Sequence, residues 1–461
     1  MSNTSFLTAE EIKAWRPDEE IPDPKKRNQV IRGRLARNDL WLSKQTAGKR
    51  WPVGCVALEI TQRCNLDCSL CYLSEHSQAV QDLPLAEIFR RIDLIYAHYG
   101  PRTDVQVTGG DPTLRQRDEL IAIVRYISAK RMRPSLFTNG ILATRELLAE
   151  LGEAGLVDVA FHVDMTQGRK GFRTERELNE LRREYIERAR GLNLAVIFNT
   201  TLFAGNFAEV PALVKFLASV ADVVSFASFQ LQADTGRGVL RQREDVINID
   251  NTIARIRAGA SARLSFDALL GGHHHCNRYA FALVINGKIY DGFDNAELAV
   301  MIMNKTADVA FDRRNRRAGM RAFAAALLRR PSLWWLSLSW LAQFVWRARK
   351  DLITARGNVH KLSLFVHNFM DACQLERDRI ESCIFMTITS DGPISMCMHN
   401  AKRDAFILQP MIFYRQGELR NWHPLKGETD EPIAQIPAPT DYPRKLKRGR
   451  TRQDNRNSLH G

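Results

Sequence analysis

Cys64, Cys68 and Cys71 lie within one short stretch, Cys64-Asn65-Leu66-Asp67-Cys68-Ser69-Leu70-Cys71, with three and then two residues between them. Thiolates are the natural ligands of soft metals and of iron–sulfur clusters. Three of them converging from one loop can occupy three corners of a cubane [4Fe–4S] cluster and leave the fourth iron without a protein ligand. A zinc ion is the competing reading; it would need a fourth donor nearby, for which His76 is available.

A second loop could do chemistry of a different kind. In Thr108-Gly109-Gly110-Asp111-Pro112 the glycines let the backbone approach a ligand closely, and backbone carbonyls can accept from an ammonium group. Phe137-Thr138-Asn139-Gly140 is a third such point. Asn139, His162, Asp164, Asn199 and Gln230 are further polar groups at the ends of apolar runs, each as apt to form turns or satisfy the core as to meet a ligand.

These loops need elements to position them. From Cys55 to about Phe229, β-type runs alternate with helical patterns, the mark of parallel βα units. The strand candidates are Val56–Ile60, Val105–Thr108, Ser135–Phe137, Val157–Phe161, Leu194–Phe198 and Val223–Phe229. Helical spacing recurs between them, as in Ile88, Ile92, Ile95 and Tyr99, or Leu120, Ile121, Val124 and Ile127. Six units predict an α/β fold with an open, partial (β/α)6 barrel. The polar loops then fall at the C-terminal strand ends, where such architectures bind ligands.

The triplet directly after the first strand, with Gly109-Gly110-Asp111-Pro112 one βα unit later, resembles the radical S-adenosylmethionine (radical SAM) superfamily over roughly residues 55 to 230. The resemblance implies that Cys64, Cys68 and Cys71 hold a [4Fe–4S] cluster whose free iron is chelated by S-adenosylmethionine. It also implies that Gly109, Gly110 and Asp111 form the loop for the methionine part, with Asp111 standing where the family has Glu. The residue before the third cysteine, usually aromatic there, is Leu70; Tyr72 follows Cys71 instead. Tyr72 and Asn139 complete the expected cofactor-binding set, and no catalytic residue is assigned. The activity implied is reductive cleavage of S-adenosylmethionine to a 5′-deoxyadenosyl radical, which abstracts hydrogen from an unactivated carbon. A reductant such as flavodoxin or ferredoxin would be the electron donor.

After Phe229 the alternation stops. Setting aside Cys55, read as a buried core thiol, four of the eight cysteines remain: Cys276, Cys373, Cys383 and Cys397. Four is the number a closed second [4Fe–4S] cluster requires. Residues 383–397 read as a hairpin turning at Asp391-Gly392, which would bring Cys383 and Cys397 together. This resembles the twitch or SPASM module of the same superfamily, without its full cysteine set. His273, His274 and His275 beside Cys276 read as a loop.

An Arg- and Trp-rich segment spans residues 313–350 and holds half of the eight Trp. It includes Arg313, Arg314, Arg316, Arg317, Arg321, Arg329 and Arg330, then Trp334, Trp335, Trp340 and Trp346, then Arg347, Arg349 and Lys350. Such a segment fits either a membrane interface or a buried helical hairpin. Its aromatics form a continuous apolar run and do not alternate singly with cations, which argues against nucleic acid. The organisation expected is an N-terminal extension (1–50), a core (51–235), a smaller cysteine-bearing C-terminal domain (236–435) and a disordered basic tail (436–461).

With 66 Lys and Arg against 52 Asp and Glu, the net charge of +14 favours an anionic partner. Eight cysteines without a disulfide pattern, and no signal-like start, predict a reducing, cytoplasmic setting. No apolar run is long enough to span a bilayer. The arrangement looks most like the branch containing tetraether lipid synthases and pterin-modifying methyltransferases, which makes a lipid or other apolar molecule the expected substrate. The alternatives are modification of a ribosomal peptide, and a non-catalytic iron–sulfur or zinc protein.

Overall fold

Val56, Ala57, Leu58, Glu59 and Ile60 are all buried in β1 (Cys55–Thr61), as expected of a parallel strand covered on both faces. The computed structural model describes residues 6–18, 26–238, 247–309, 316–415 and 417–433. Arg313, Arg314 and the basic tail expected from 436 onward lie outside them. Two helices, α1 (Ala9–Ala14) and α2 (Arg27–Arg37), precede β1.

Five βα crossovers follow: α3 (Leu85–Tyr99), β2 (Asp104–Gly109), α4 (Arg117–Ala129), β3 (Arg133–Thr138), α5 (Arg145–Glu153), β4 (Asp158–His162), α6 (Leu178–Ala189), β5 (Ala195–Leu202), α7 (Ala204–Phe207), α8 (Val210–Ser219) and β6 (Val224–Leu231). Neighbouring strands pair in parallel, with Val56 opposite Val105, Val105 opposite Pro134 and Val196 opposite Val224. The six expected strands are all present. All six run past the expected C-terminal ends, because polar residues such as Thr138, His162 and Asn199 stay in the ladder.

Ile88, Ile92 and Ile95 of α3 are fully buried against the sheet. On α4 the buried stripe is Leu120, Ile123, Val124 and Ile127, the i, i+3, i+4, i+7 pattern of one helix face. Ile121, expected in that stripe, lies at its margin and is only partly buried.

The residues after 235 join the same sheet. After α9 (Ile249–Ala260), β7 (Asn277–Ile285) and β8 (Lys288–Asp291) form a hairpin. Helices α10 (Ala296–Lys305), α11 (Arg316–Leu328) and α12 (Trp334–Thr354) lead to β9 (His360–Asn368). Then α13 (Arg377–Glu381) precedes β10 (Phe385–Thr389), β11 (Gly392–Ser395), α14 (Met396–Ala401) and α15 (Arg403–Ile407). The sheet order is β11-β10-β1-β2-β3-β4-β5-β6-β9-β7-β8. The result is an open α/β partial (β/α)6 barrel whose C-terminal, cysteine-bearing part extends it at both edges.

The expected hairpin over 383–397 is there as β10 and β11. Gly392, at φ 123°, makes its turn, where a Cβ would stand 2.6 Å from the Asp18 carbonyl oxygen. A separate three-stranded sheet, β12 (Met411–Arg415), β13 (Glu418–His423) and β14 (Gly427–Thr429), seats the buried Trp422 against Val80, beyond the cysteine loop.

Candidate functional site

One cavity of about 2000 Å³ fills the barrel interior. Its upper end, at the C-terminal ends of β1 to β6, is lined by Cys64, Cys68, Cys71, Gly109, Gly110 and Asn139. The three cysteines are free thiols on the loop leaving β1. That loop is fastened from three sides. Ser69 N–H donates to the Thr166 carbonyl at 2.8 Å, Cys64 N–H to Gln78 Oε1 at 3.4 Å, and Cys71 and Gly238 exchange backbone bonds at 3.3 and 3.1 Å.

The Gly236–Gly238 segment, which sequence reasoning missed, is a strap over the loop. A Cβ on Gly238 would lie 2.3 Å from Cys71 N, so only glycine lets it close this tightly. Between the two glycines, Arg237 is buried, and one Nη donates to the Leu66 carbonyl at 3.3 Å.

The donor set fits a cluster. Burial, followed by the neighbouring Cys71, Asp164 and Cys64, pushes the Cys68 thiol well above its ordinary pKa. Three sulfurs and a carboxylate crowd one another there, an arrangement that iron cations relieve. Nε and one Nη of Arg237 are buried without a hydrogen-bond acceptor; donors aimed at this loop suit an anionic iron–sulfur core. Burial opposes the Arg237 charge, yet Cys71 raises its pKa. Among the described residues no three His, Cys, Asp or Glu side chains gather around one point at single-ion spacing. Three thiolates on a cubane bind three separate irons.

The glycine loop is built by close packing. Gly109 has φ 133°, and a Cβ there would meet the Thr61 carbonyl oxygen at 1.9 Å; one on Gly110 would meet that of Arg63 at 2.0 Å. Tyr72 does line the cavity, and its hydroxyl donates to the Gly109 carbonyl at 2.5 Å. Asp111 does not line it. Fully buried, its carboxylate accepts from Thr113 N (3.0 Å), Thr138 Oγ1 (2.9 Å) and Asn139 N (2.7 Å), tying the β2 loop to the β3 loop. Burial raises its pKa against these bonds. Asn139, so placed, sends its side-chain amide toward Asn65 Oδ1 at 2.6 Å and Cys64 Sγ at 3.9 Å.

Of the remaining strand-end residues, His162, Asn199 and Gln230 line the cavity. Asp164 lies beneath it, paired with His162 Nε2 at 2.6 Å and accepting from Thr201 N at 2.8 Å. Burial pulls the other way, but His162 holds the Asp164 carboxyl down to about 2.

A buried ion pair also escaped the sequence. Arg403 of α15 grips Glu59 of β1 with two bonds of 2.8 and 2.9 Å, and its guanidinium lies 4.7 Å over the Tyr72 ring. Burial would raise the Glu59 pKa; Arg403 draws it down to about 2. A lone charge inside the run Val56-Ala57-Leu58-Glu59-Ile60 was the available signal, since a charge is rarely buried without a partner.

The second cysteine set is brought together only in part. Cys276, Cys383 and Cys397 line a small cavity with His273, His367 and Arg379, while Cys373 is exposed and outside it. Arg379 Nε stands 3.3 Å from Cys276 Sγ. Burial lifts the Cys276 thiol to about 11 and that of Cys397 to about 12. Three thiols and a buried imidazole are cluster-type donors, but the free space among them is only about 10 Å³.

The family model of the Radical SAM superfamily matches residues 58–217. The chain is 30% identical over 187 residues to the 7,8-dihydro-6-hydroxymethylpterin dimethyltransferase of Methanocaldococcus jannaschii, covering 39% of this chain and 36% of that one. It is 31% identical over 230 residues to the GTP 3',8-cyclase of Chlorobaculum tepidum, covering 47% of this chain and 68% of that enzyme. It is also similar to the solved structure of Streptococcus suis SuiB bound to precursor peptide SuiA, at a TM-score of 0.35 and 12% identity, over 52% of each chain. The chain thus spans little more than a third of the length of the dimethyltransferase.

Proposed function

Because the chain belongs to the radical SAM superfamily, an enzyme class that works with a [4Fe–4S] cluster and S-adenosylmethionine, we propose that it abstracts hydrogen from an unactivated carbon of an amphiphilic, largely apolar substrate held in the barrel cavity. One observation carries this reading: the cysteine triplet and the glycine loop open into a single cavity of about 2000 Å³, beyond the roughly 300–1000 Å³ of ordinary small-molecule sites.

The wall mixes polar and apolar groups. Gln106, Ser135 and Asp158 face the cavity from β2 to β4, and Phe226, Phe281 and Phe365 face it from β6, β7 and β9, among Ser228, Tyr279 and Ser363. A substrate with a polar part and a long apolar part satisfies both. Cys64, Cys68 and Cys71 hold the cluster. When bound, it supplies the electron that splits S-adenosylmethionine into methionine and the 5′-deoxyadenosyl radical.

The protein's share is position and dryness. Gly109 and Gly110 present backbone to the methionine part, and Tyr72 fixes the Gly109 carbonyl. Asn139, anchored by Asp111, marks the side of Cys64. The Gly236–Gly238 strap and Arg403 close the site against water. Cys276, Cys383 and Cys397 are proposed as ligands of a second cluster, favoured by their convergence with His367.

Anaerobic reconstitution, reduction with dithionite and chromatographic detection of 5′-deoxyadenosine test the reading. Wild type should release it and Cys64→Ala should release none; equal release from both overturns the assignment. Deuterium carried into 5′-deoxyadenosine from labelled lipid supports the apolar substrate. Transfer from a peptide alone would favour peptide modification.

A further inference from the structure

The cavity does not end where the cofactor site ends. It passes down the barrel to the N-terminal ends of β2 and β3, where Arg102 and Arg133 line it together with Arg50. Arg50 reaches across to the chain after α10, donating to the Thr306 and Val309 carbonyls at 2.7 and 2.8 Å. Beyond these, the lower mouth is formed by Met320 and Phe323 of α11 and Trp340 of α12. The Arg/Trp segment therefore frames the opening opposite the cysteines.

Helix α12 has two apolar faces, and only one is used. Phe344 and Ala348 pack on Ile285 of β7. The other carries Trp335 (80% exposed), Leu338 (63%), Val345 (45%), Trp346 (67%) and Ile353 (78%), a stripe at helical spacing along the 21-residue helix. Arg349 alone interrupts it, and lies 4.1 Å over the Trp346 ring, its stem along the apolar face. Lys350 stands at the edge, while Arg347 turns away to pair with Asp294. No helix among the described residues is long and apolar enough to cross a membrane.

We propose that α12 lies in the headgroup region of an anionic phospholipid bilayer and seats the lower mouth of the cavity on it, so that an amphiphilic substrate enters the barrel from the membrane. Indole rings favour the depth of the headgroups, and guanidinium and ammonium groups pair with lipid phosphates. The charge fits: +14 overall, with cations flanking both the stripe and the mouth. A second copy of this chain would bring the same cations face to face, which argues for lipid as the occupant. This docking rests on the reading of the cavity as the substrate site.

Flotation of the full chain with phosphatidylglycerol and with phosphatidylcholine vesicles tests it, with 5′-deoxyadenosine release measured on the same samples. Wild type should float with phosphatidylglycerol and far less with phosphatidylcholine. Trp335→Ala with Trp346→Ala should lower phosphatidylglycerol binding at least tenfold, and Arg349→Ala and Lys350→Ala about fivefold each. Both sets should still release 5′-deoxyadenosine. No binding of wild type to phosphatidylglycerol overturns the docking, as does a dimer that the double Trp variant dissolves. Absence of 5′-deoxyadenosine from wild type would instead strike the proposed function, so the two failures are distinguishable.

Discussion

Replacing Arg403 by Met tests how the C-terminal part is fastened to the cofactor end of the barrel. The change leaves Glu59 buried, with Gln62 as its remaining close side-chain donor at 2.7 Å. A carboxylate stranded this way costs ~3–5 kcal/mol, or it takes up a proton. Protonating a glutamate at pH 7, about 2.7 pH units above its ordinary value, costs ~3.7 kcal/mol; at pH 5 the same step costs ~1 kcal/mol. The expected destabilisation of Arg403→Met is therefore ~3–4 kcal/mol at pH 7 and ~1–2 kcal/mol at pH 5, where a small packing loss adds to the protonation cost. Urea unfolding of the full chain at both pH values reads it out. In wild type the sign is fixed by the depressed pKa of Glu59, about 2. Ionisation of Glu59 therefore favours the wild-type fold by an amount that is complete above about pH 4.3 and lost as the pH falls toward 2; against Arg403→Met this gain is offset by the cost of burying the Arg403 charge, which the variant is spared. Glu59→Gln in the Arg403→Met background should recover most of the loss at pH 7. Equal destabilisation of Arg403→Met at pH 5 and pH 7 would refute the reasoning.

Three other outcomes follow from the same geometry. Gly110→Ala puts a methyl 2.0 Å from the Arg63 carbonyl oxygen, so β1 and β2 must part; stability should fall by ~1–3 kcal/mol and reconstituted iron should drop, measured by thermal unfolding and iron assay. Asp111→Asn leaves one acceptor oxygen where two served and sets a donor against Thr113 N or Asn139 N, costing ~1–3 kcal/mol; 5′-deoxyadenosine release should fall about tenfold or more while Asp111→Glu retains part of it. Iron and sulfide counting should give near eight of each per chain for wild type, and near four for Cys383→Ala with Cys397→Ala; a wild-type value near four restricts the protein to the triplet cluster.

Most of the barrel was readable because two periodicities do not interfere: β-type runs of three to seven residues and a helical stripe between each pair. The cysteine triplet was equally readable, since its meaning lies in local spacing. What stayed hidden depends on residues far apart in the chain. Gly236–Gly238 looks like an ordinary turn until it is laid over Cys71, and Arg403 is one Arg among many until it meets Glu59. Asp111 was readable in place but not in role. Its neighbourhood suggested a ligand-facing carboxylate, whereas Thr138 and Asn139 turn it inward. Cys373 shows the limit of counting: four cysteines invited a set of four, but its loop leaves it outside the group.

The pairing of β10 with the outer edge of β1 has a consequence for the order in which the molecule is made. The cysteine loop and its strand are translated early, but the strand that covers their flank emerges more than 300 residues later, together with Arg403. At ~5–20 residues per second this interval lasts roughly 15–65 s. During it the loop has its glycine neighbour from β2 and, later, its strap, but one edge of the sheet stands open beside it. A nascent chain halted near residue 376 should already accept iron and sulfide, and should lose them to a chelator faster than the finished protein. The last strands thus act as a door that synthesis itself closes behind the cluster.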